Sequence, residues 1–531
     1  MTARTMRTAA VAGAVSALLA GATACSAPSG GEGAGGGEDS LTVGVAQEPE
    51  TLSPMLGYGK EGNSKIFDGL LTHDAEMNLK PALATKLPEV ADNGKKYTFQ
   101  LRDGVKFSDG TPFTAKDVVF TYETILDKKT NNPSKGELDA LESVKAEGDD
   151  TVVFTLKYPY APFAERTVLP IASEKAASGQ DVNSGAYNTK PVGTGPYILT
   201  GWRKGEKLSF KANPHYWGGA PEVKKFTVAV IEDDDVRATR LRSGDLDGAI
   251  LPPNLAKTFK DDSGKRTLEA TTADYRAVTL PSGNKVTGDK AVRRALDLAV
   301  DREAMVKSIL NGAGRPAYGP VSTDSEWFAK GTERKRDLDE AKKILDDAGW
   351  KPGSDGIREK DGERAEFTLW YFSGDKLRQD HALAYASDAK KAGIDVKVQA
   401  GSREVIQPRL DKDAMLAGNG FPADPDFDLY PALHSSQSGE GWNNMAQYDN
   451  KAVDEALDEG RRTRDEDERR TAYDTVQKEL AKDPGYTFLT HIDHVYVIND
   501  GWQKLTTQVE PHDHGIGAGP WWNVEDWQRK K

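Results

Sequence analysis

Cysteine is nearly missing from this chain. Of 531 residues only Cys25 is a cysteine, so no disulfide can form within the chain and no zinc site can be built on thiolates. Long apolar runs are scarce as well. After residue 40 no stretch approaches the roughly 20 apolar residues that a membrane-spanning helix needs. Three catalytic patterns are absent, namely Gly-x-Ser-x-Gly, His-Glu-x-x-His and the Walker A loop. Gly193-Thr-Gly195 runs into Pro196-Tyr197 rather than into a helix, so it is a turn and not a phosphate cradle. Basic charge is outweighed, with 70 Lys and Arg against 83 Asp and Glu, a net charge of −13. Such a chain repels a phosphate backbone, and nucleic acid is not an expected partner. The length exceeds one small core and fits two or three lobes, while 37% apolar and 29% charged residues exclude wholesale disorder.

What is there begins with an address. Arg4 and Arg7 precede an apolar run from Ala9 to Ala20, followed by Ala22-Thr23-Ala24 and Cys25. A basic start, a short apolar stretch and small residues describe an export signal. The end of it resembles the lipobox of bacterial lipoproteins, with Ala22 where a larger aliphatic residue is usual. Residues 1–25 are therefore expected to be a lipoprotein signal and lipobox, with lipidation at Cys25 as the membrane anchor. The Gly-, Ser- and Glu-rich residues 26–40 read as a flexible tether.

The body alternates strands and helices. Leu41–Val45 and Thr151–Leu156 read as strands. Tyr97, Phe99 and Leu101, then Asp103-Gly104, then Val105 and Phe107 have the pattern of a hairpin. Thr114 with Asp117 predicts a capped helix with a stripe of Val118, Val119, Tyr122 and Leu126, and Asp337 with Glu340 predicts another. Helices are predicted from Asp289, Lys451 and Asp467, and Tyr486 to Ile498 is an apolar run. The alternating charges from Arg461 to Arg470 read as an exposed helix surface. Together these predict a mixed α/β protein in at least two lobes.

An ordered series of segments carries a resemblance. Phe67-Asp-Gly-Leu-Leu71 opens it. Tyr97-Thr-Phe-Gln-Leu-Arg-Asp-Gly-Val-Lys-Phe-Ser-Asp-Gly110 and Thr111-Pro-Phe-Thr-Ala-Lys-Asp-Val118 follow. Gly193-Thr-Gly-Pro-Tyr197, Asn213-Pro-His-Tyr-Trp217, Ser243-Gly-Asp-Leu-Asp247 and Arg294-Ala-Leu-Asp-Leu-Ala-Val-Asp-Arg302 complete it. The series resembles the family 5 bacterial extracellular solute-binding proteins, the oligopeptide-, dipeptide- and nickel-binding components of ABC importers. The resemblance implies a two-lobed periplasmic-binding-protein-like clamp, α/β, type II of the large peptide-binding class, with an extra subdomain. Lobe I would take 41–72, 191–273 and 491–531, the extra subdomain 73–190, and lobe II 274–490. A monomer on the outer face of the cell membrane is implied, with a peptide ligand and ABC permease and ATPase subunits as partners. No cofactor and no catalysis are expected.

The same resemblance implies an aspartate that meets the ammonium of a peptide. The matching stretch is Gly420-Phe-Pro-Ala-Asp424, which makes Asp424 the candidate and Phe421 its neighbour, with Asp426 and Asp428 as alternatives. Trp442 offers an apolar wall, and Asn443 and Asn444 offer partners for a peptide backbone. A rival ligand is nickel or a metal chelate, for which His434, His512 and His514 are the candidate imidazoles. His491 and His494 lie three apart, so on one strand they would face opposite ways. An oligosaccharide or a signal peptide would use the same clamp. The tail residues Trp521, Trp522 and Trp527 are expected to pack the C-terminus onto lobe I.

Overall fold

The computed structural model describes residues 39–439, 441–512 and 516–530, all within one compact unit, Gly36–Lys531. The export signal, Cys25, nearly all of the tether and His514 lie outside the described residues. Among the described residues no helix is long and apolar enough to cross a membrane.

Two sheets organise the body. The first runs in the order Lys265–Ala270, His494–Asn499, Gly248–Leu251, Ser40–Val45, Lys225–Val230, Lys207–Ala212, Tyr197–Arg203. Its central strand Ser40–Val45 is parallel to both neighbours, Lys225–Val230 and Gly248–Leu251. The second runs Gly314–Pro316, Tyr486–Ile492, Tyr275–Thr279, Ala414–Asn419, Glu366–Phe372, Asp395–Gly401. Here both faces are covered. Val278, Leu369, Leu416 and Leu489 share one core with Ala295 and Tyr385, while Tyr275, Ala277 and Phe488 share another with Leu457 and Tyr473. A strand buried on both sides reads as a continuous apolar run rather than an alternating one, and Tyr486–Ile492 is buried at every residue.

A four-stranded antiparallel sheet, Glu89–Ala91, Lys96–Gln100, Thr151–Leu156, Leu141–Ala146, shares one core with the first sheet. The helix Ala115–Leu126 covers it, opened by the capping box that Thr114 and Asp117 predict. The hairpin pattern beginning at Tyr97 pairs differently from its expectation. Lys96–Gln100 pairs with Glu89–Ala91 before it and with Thr151–Leu156 far after it. Val105–Phe107 instead folds back on Thr111–Phe113, through Phe107 N–H to Thr111 O at 2.8 Å and Phe113 N–H to Val105 O at 3.0 Å. Asp109-Gly110 makes that turn, with Gly110 at φ +85°.

The tail returns to the first sheet. Trp502, Trp521 and Trp527 are buried in the core that holds Leu41 and Val43, with adjacent ring centroids 5.6 Å apart.

The chain passes between the two sheets twice. It leaves the first after Ala270 and enters the second at Tyr275, then leaves at Ile492 and re-enters the first at His494. The apolar run from Tyr486 to Ile498 is thus two strands in two sheets, broken at Asp493. The crossings hold each other: Ile492 N–H donates to Asp274 O at 2.8 Å, and the Thr272 hydroxyl donates to Ile492 O. The tail adds a third segment, with Ala273 N–H to Glu510 O and Glu510 N–H to Thr271 O, both 2.9 Å.

Candidate functional site

The strands place the site. Tyr275, at the crossing, pairs with Asn419, the last residue of Ala414–Asn419. Glu366–Phe372 runs parallel to Ala414–Asn419. Phe372 and Asn419 therefore end on the side of the second sheet where the chain crosses to the first.

A cationic floor lies on that side. Arg276 comes from Tyr275–Thr279, and Arg378 from the first turn of Lys376–Lys391, which Asp375 caps. Each guanidinium gives an Nη1 to one aspartate, Arg276 to Asp274 and Arg378 to Asp375. Among the described residues, the Nε atoms of both are buried without a hydrogen-bond partner. Gly418 makes the convergence possible. A Cβ there would stand 2.6 Å from Arg276 Nη1, 2.9 Å from Arg378 Nη2 and 3.1 Å from His512 Cε1. Burial lowers the pKa of Arg378 and the adjacent Arg276 lowers it further, against the pull of Asp375. Arg276 is buried and Arg378 is largely so, its side chain 12% exposed; two guanidinium tips converging at one point are suited to an anion, and a guanidinium fits a carboxylate best. Gly418→Ala is expected to leave the fold intact, because flexible arginine tips can move, and to weaken ligand binding at least tenfold in calorimetry.

Asp274 anchors this floor from below. It is fully buried. Burial pushes its carboxyl up, but Arg276, then His512 and His494, hold it well below the usual carboxylate range. His512 Nδ1 lies 2.6 Å from Asp274 Oδ1. His494 bridges the crossings, 2.7 Å from Glu510 and 3.4 Å from Asp274. Burial alone would lower it, yet Glu510 first and then Asp274 raise it to about 9.

Three aspartates follow Gly420, and their partners differ. Both Asp424 oxygens lie 2.8 Å from Arg469 Nη2. Asp426 accepts from the Tyr160 hydroxyl at 2.9 Å and faces Arg461 at 3.4 Å. Asp428 is buried, and its two oxygens accept from one donor, the Phe421 N–H, at 2.9 and 3.0 Å. Burial pushes its carboxyl well up, the N–H opposes that, and Glu61 from the facing lobe, Asp274 and Asp424 push it higher. Asp424 thus has a cation of its own, while Asp428, among the described residues, is a buried carboxyl with none. The segment Arg461 to Arg470, read as an exposed surface, is largely that, with two exceptions. Arg461 and Arg469 are buried, at 8% and 9% exposure, because they turn inward to neutralise Asp426 and Asp424.

The two halves touch across the cleft. Arg461 lies 3.6 Å from the Tyr430 ring centroid and 5.0 Å from that of Tyr160. Arg166 lies 3.7 Å from the ring of Phe427, and Phe421 meets His73 at 6.3 Å. Desolvated cation–π contacts contribute about 2 kcal/mol each. Tyr160→Phe combined with Arg166→Ala is expected to shift the population toward an open form. Small-angle scattering without ligand would read this as a larger radius of gyration; an unchanged radius contradicts it.

The remaining expected site residues divide. Trp442 is half-buried against Phe372 and Arg403. Asn443 gives its amide to Gln437 at 3.1 Å. Asn444 is corrected. It is 1% exposed, its amide donates to His434 O, Ser438 Oγ and Tyr448 O, and its Oδ1 accepts from Tyr448 N–H. It knots its own loop and has nothing left for a ligand. His434 stacks on Tyr430 at 4.4 Å and lies near Ser436 and Asp458. His491 is buried against Pro320 O. Among the described residues no group of three His, Cys, Asp or Glu is placed to hold a metal ion. Sequence reasoning missed Arg276 and Arg378. Arg276 had a signal, a single charge inside an otherwise apolar strand; Arg378 had none beyond the Asp375 cap.

The profile of the bacterial extracellular solute-binding proteins, family 5 (Middle), matches residues 78–440. The chain belongs to this family. It is therefore a solute carrier of the ABC importer class, extracellular or periplasmic, and not an enzyme. Protein XP55 of Streptomyces lividans is 64% identical over 518 residues, covering 97% of this chain and 95% of that protein. The crystal structure of NikZ from Campylobacter jejuni in complex with Ni(L-His) is similar at a TM-score of 0.84 and 31% identity, covering 93% of this chain and all of that one. The oligopeptide-binding protein AppA from Bacillus subtilis, in complex with a nonapeptide, has a TM-score of 0.80 and 28% identity, covering 93% and 99%. The family 5 clamp has two lobes, and the two sheets here are their frameworks.

Proposed function

We propose that this family 5 protein captures peptides in the cleft between its lobes and delivers them to a membrane permease. One observation carries the reading. The site brings together two guanidinium tips that converge at Gly418, those of Arg276 and Arg378, and a buried carboxyl, that of Asp428, with no cation beside it among the described residues, and Asp274 lies near both. A zwitterion matches that pattern, its carboxylate on the arginines and its ammonium on Asp428. The anchor role thus moves from Asp424 to Asp428. Burying both ends unmatched would cost about 1–3 kcal/mol each, so an end-blocked peptide is disfavoured. Ligand bridging both lobes stabilises the closed form through its differential affinity for that form.

A second reading, an amino-acid metal chelate, draws on His512 at the same floor. Native mass spectrometry of the protein purified without refolding separates the two. Peptide masses support the first reading, while a metal-bearing small mass or a sugar contradicts it.

The export pattern around Cys25 supports anchoring by lipid. Two acyl chains give stable membrane attachment, at about 0.8 kcal/mol per buried methylene. Cys25→Ser is expected to move the protein from the membrane fraction into the medium. Retention of the variant at the membrane contradicts lipidation.

A further inference from the structure

Phe372 and Trp442 are both half-buried, and neither belongs to a hydrophobic core. Their rings meet edge to face, centroids 5.8 Å apart at 66°. Phe372 ends its strand on the crossing side of the second sheet, four residues before the helix that carries Arg378. Arg378 reaches back over the Phe372 ring at 5.8 Å. Trp442 arrives from the loop after the helix Asp426–Leu433, the helix that carries Asp428. Arg403, just beyond the strand Asp395–Gly401, covers the Trp442 ring at 5.0 Å. Along the wall the order is Arg378, Phe372, Trp442, Arg403. Trp370 makes an instructive contrast, because its indole N–H is engaged by Asp413 at 2.9 Å.

We infer that Phe372 and Trp442 form the subsite for the side chain next to the ligand's carboxylate, and that this subsite selects an aromatic side chain over a cationic one. The inference rests on the peptide reading and deepens it. Arg378 fixes the position, since a carboxylate on its outer donors leaves the adjoining side chain beside the ring it covers. The selection follows from charge. The rings' electron-rich faces already attract Arg378 and Arg403, so a lysine or arginine side chain meets two like charges seated on the same rings. An aromatic side chain adds edge-to-face contacts to the existing pair. Continuity with the arginine floor and the position on the crossing side of the second sheet identify the occupant as part of the ligand.

Calorimetry with di- and tripeptides ending in Phe, Ala or Lys tests this. The Phe-ending peptides bind about tenfold tighter than the Ala-ending ones, and the Lys-ending ones bind more weakly than either. In Trp442→Ala the Phe-to-Ala ratio falls to about one, and in Trp442→Phe part of it returns. Leu383→Ala, an exposed change on the helix Lys376–Lys391, keeps the full ratio. Binding of all three peptides with equal affinity overturns the subsite alone. So does an undiminished ratio in a Trp442→Ala protein whose melting curve matches the parent. Absence of binding by any peptide overturns the peptide reading and the subsite together.

Discussion

Arg378→Ala loses about a hundredfold in affinity for a peptide with a free carboxylate and almost nothing for its C-terminal amide. A hundredfold is about 2.8 kcal/mol, within the range seen when one partner of a buried hydrogen-bonded charge pair is truncated. Arg276 is the strongest counter-charge of the fully buried Asp274, so its removal strands a carboxylate at the crossings and damages the hinge. Arg378 is set in the first turn of a helix and is paired with a capping aspartate that keeps its backbone role. Removing it opens the floor without unmaking the fold. The control is the melting temperature without ligand, which should stay close to the parent's. An equal loss for acid and amide would mean that Arg378 supports the cleft but does not touch the carboxylate.

Asp428→Asn has the opposite end-group signature. It keeps an oxygen to accept the Phe421 N–H, so the loop after Gly420 holds. Affinity for a free-amino peptide falls about thirtyfold, while the N-acetyl form is nearly unaffected. The parent protein also carries a pH signature. Burial, Glu61, Asp274 and Asp424 raise the Asp428 carboxyl well above its ordinary value near 3.9. An ammonium favours the ionised form, so ligand binding lowers that pKa, and the protein releases a proton at any pH between the bound and ligand-free values. Affinity therefore rises with pH through that window. It levels off once Asp428 is ionised before binding, and falls as the peptide's amino group titrates near 8. Calorimetry in buffers of different ionisation heat reads the released proton directly. Asp428→Asn should abolish it; proton uptake by the parent protein would contradict the assignment.

Much of the fold was legible because its local signals agree with its packing. The Thr114–Asp117 and Asp337–Glu340 caps open the helices they predict. Thr151–Leu156 is a strand with the bounds read from the sequence. Pairing was less legible. Asp103-Gly104 looked like a hairpin turn, but nothing local could reveal that Lys96–Gln100 pairs with a strand fifty residues on. The change of sheet at Asp493 was hidden for a related reason, since two strands buried on both faces read as one apolar run. At the site, the Asp-rich loop after Gly420 was visible, yet three carboxylates two residues apart look alike in sequence. What separates them is Arg469 and Arg461, which come from two later helices. Those arginines looked solvent-exposed because alternating charge is the usual mark of a surface, and only tertiary pairing turns them inward. Asn444 looked like a ligand contact for the same reason, since an amide's partners within its own loop are a matter of backbone path.

The decisive measurement is a crystal structure of the protein with a zwitterionic peptide bound. The expected result is a guest spanning the lobes, its terminal carboxylate within hydrogen-bond distance of Arg378 and its terminal nitrogen beside Asp428. A guest lodged elsewhere, or one seated with those ends exchanged, would contradict the account.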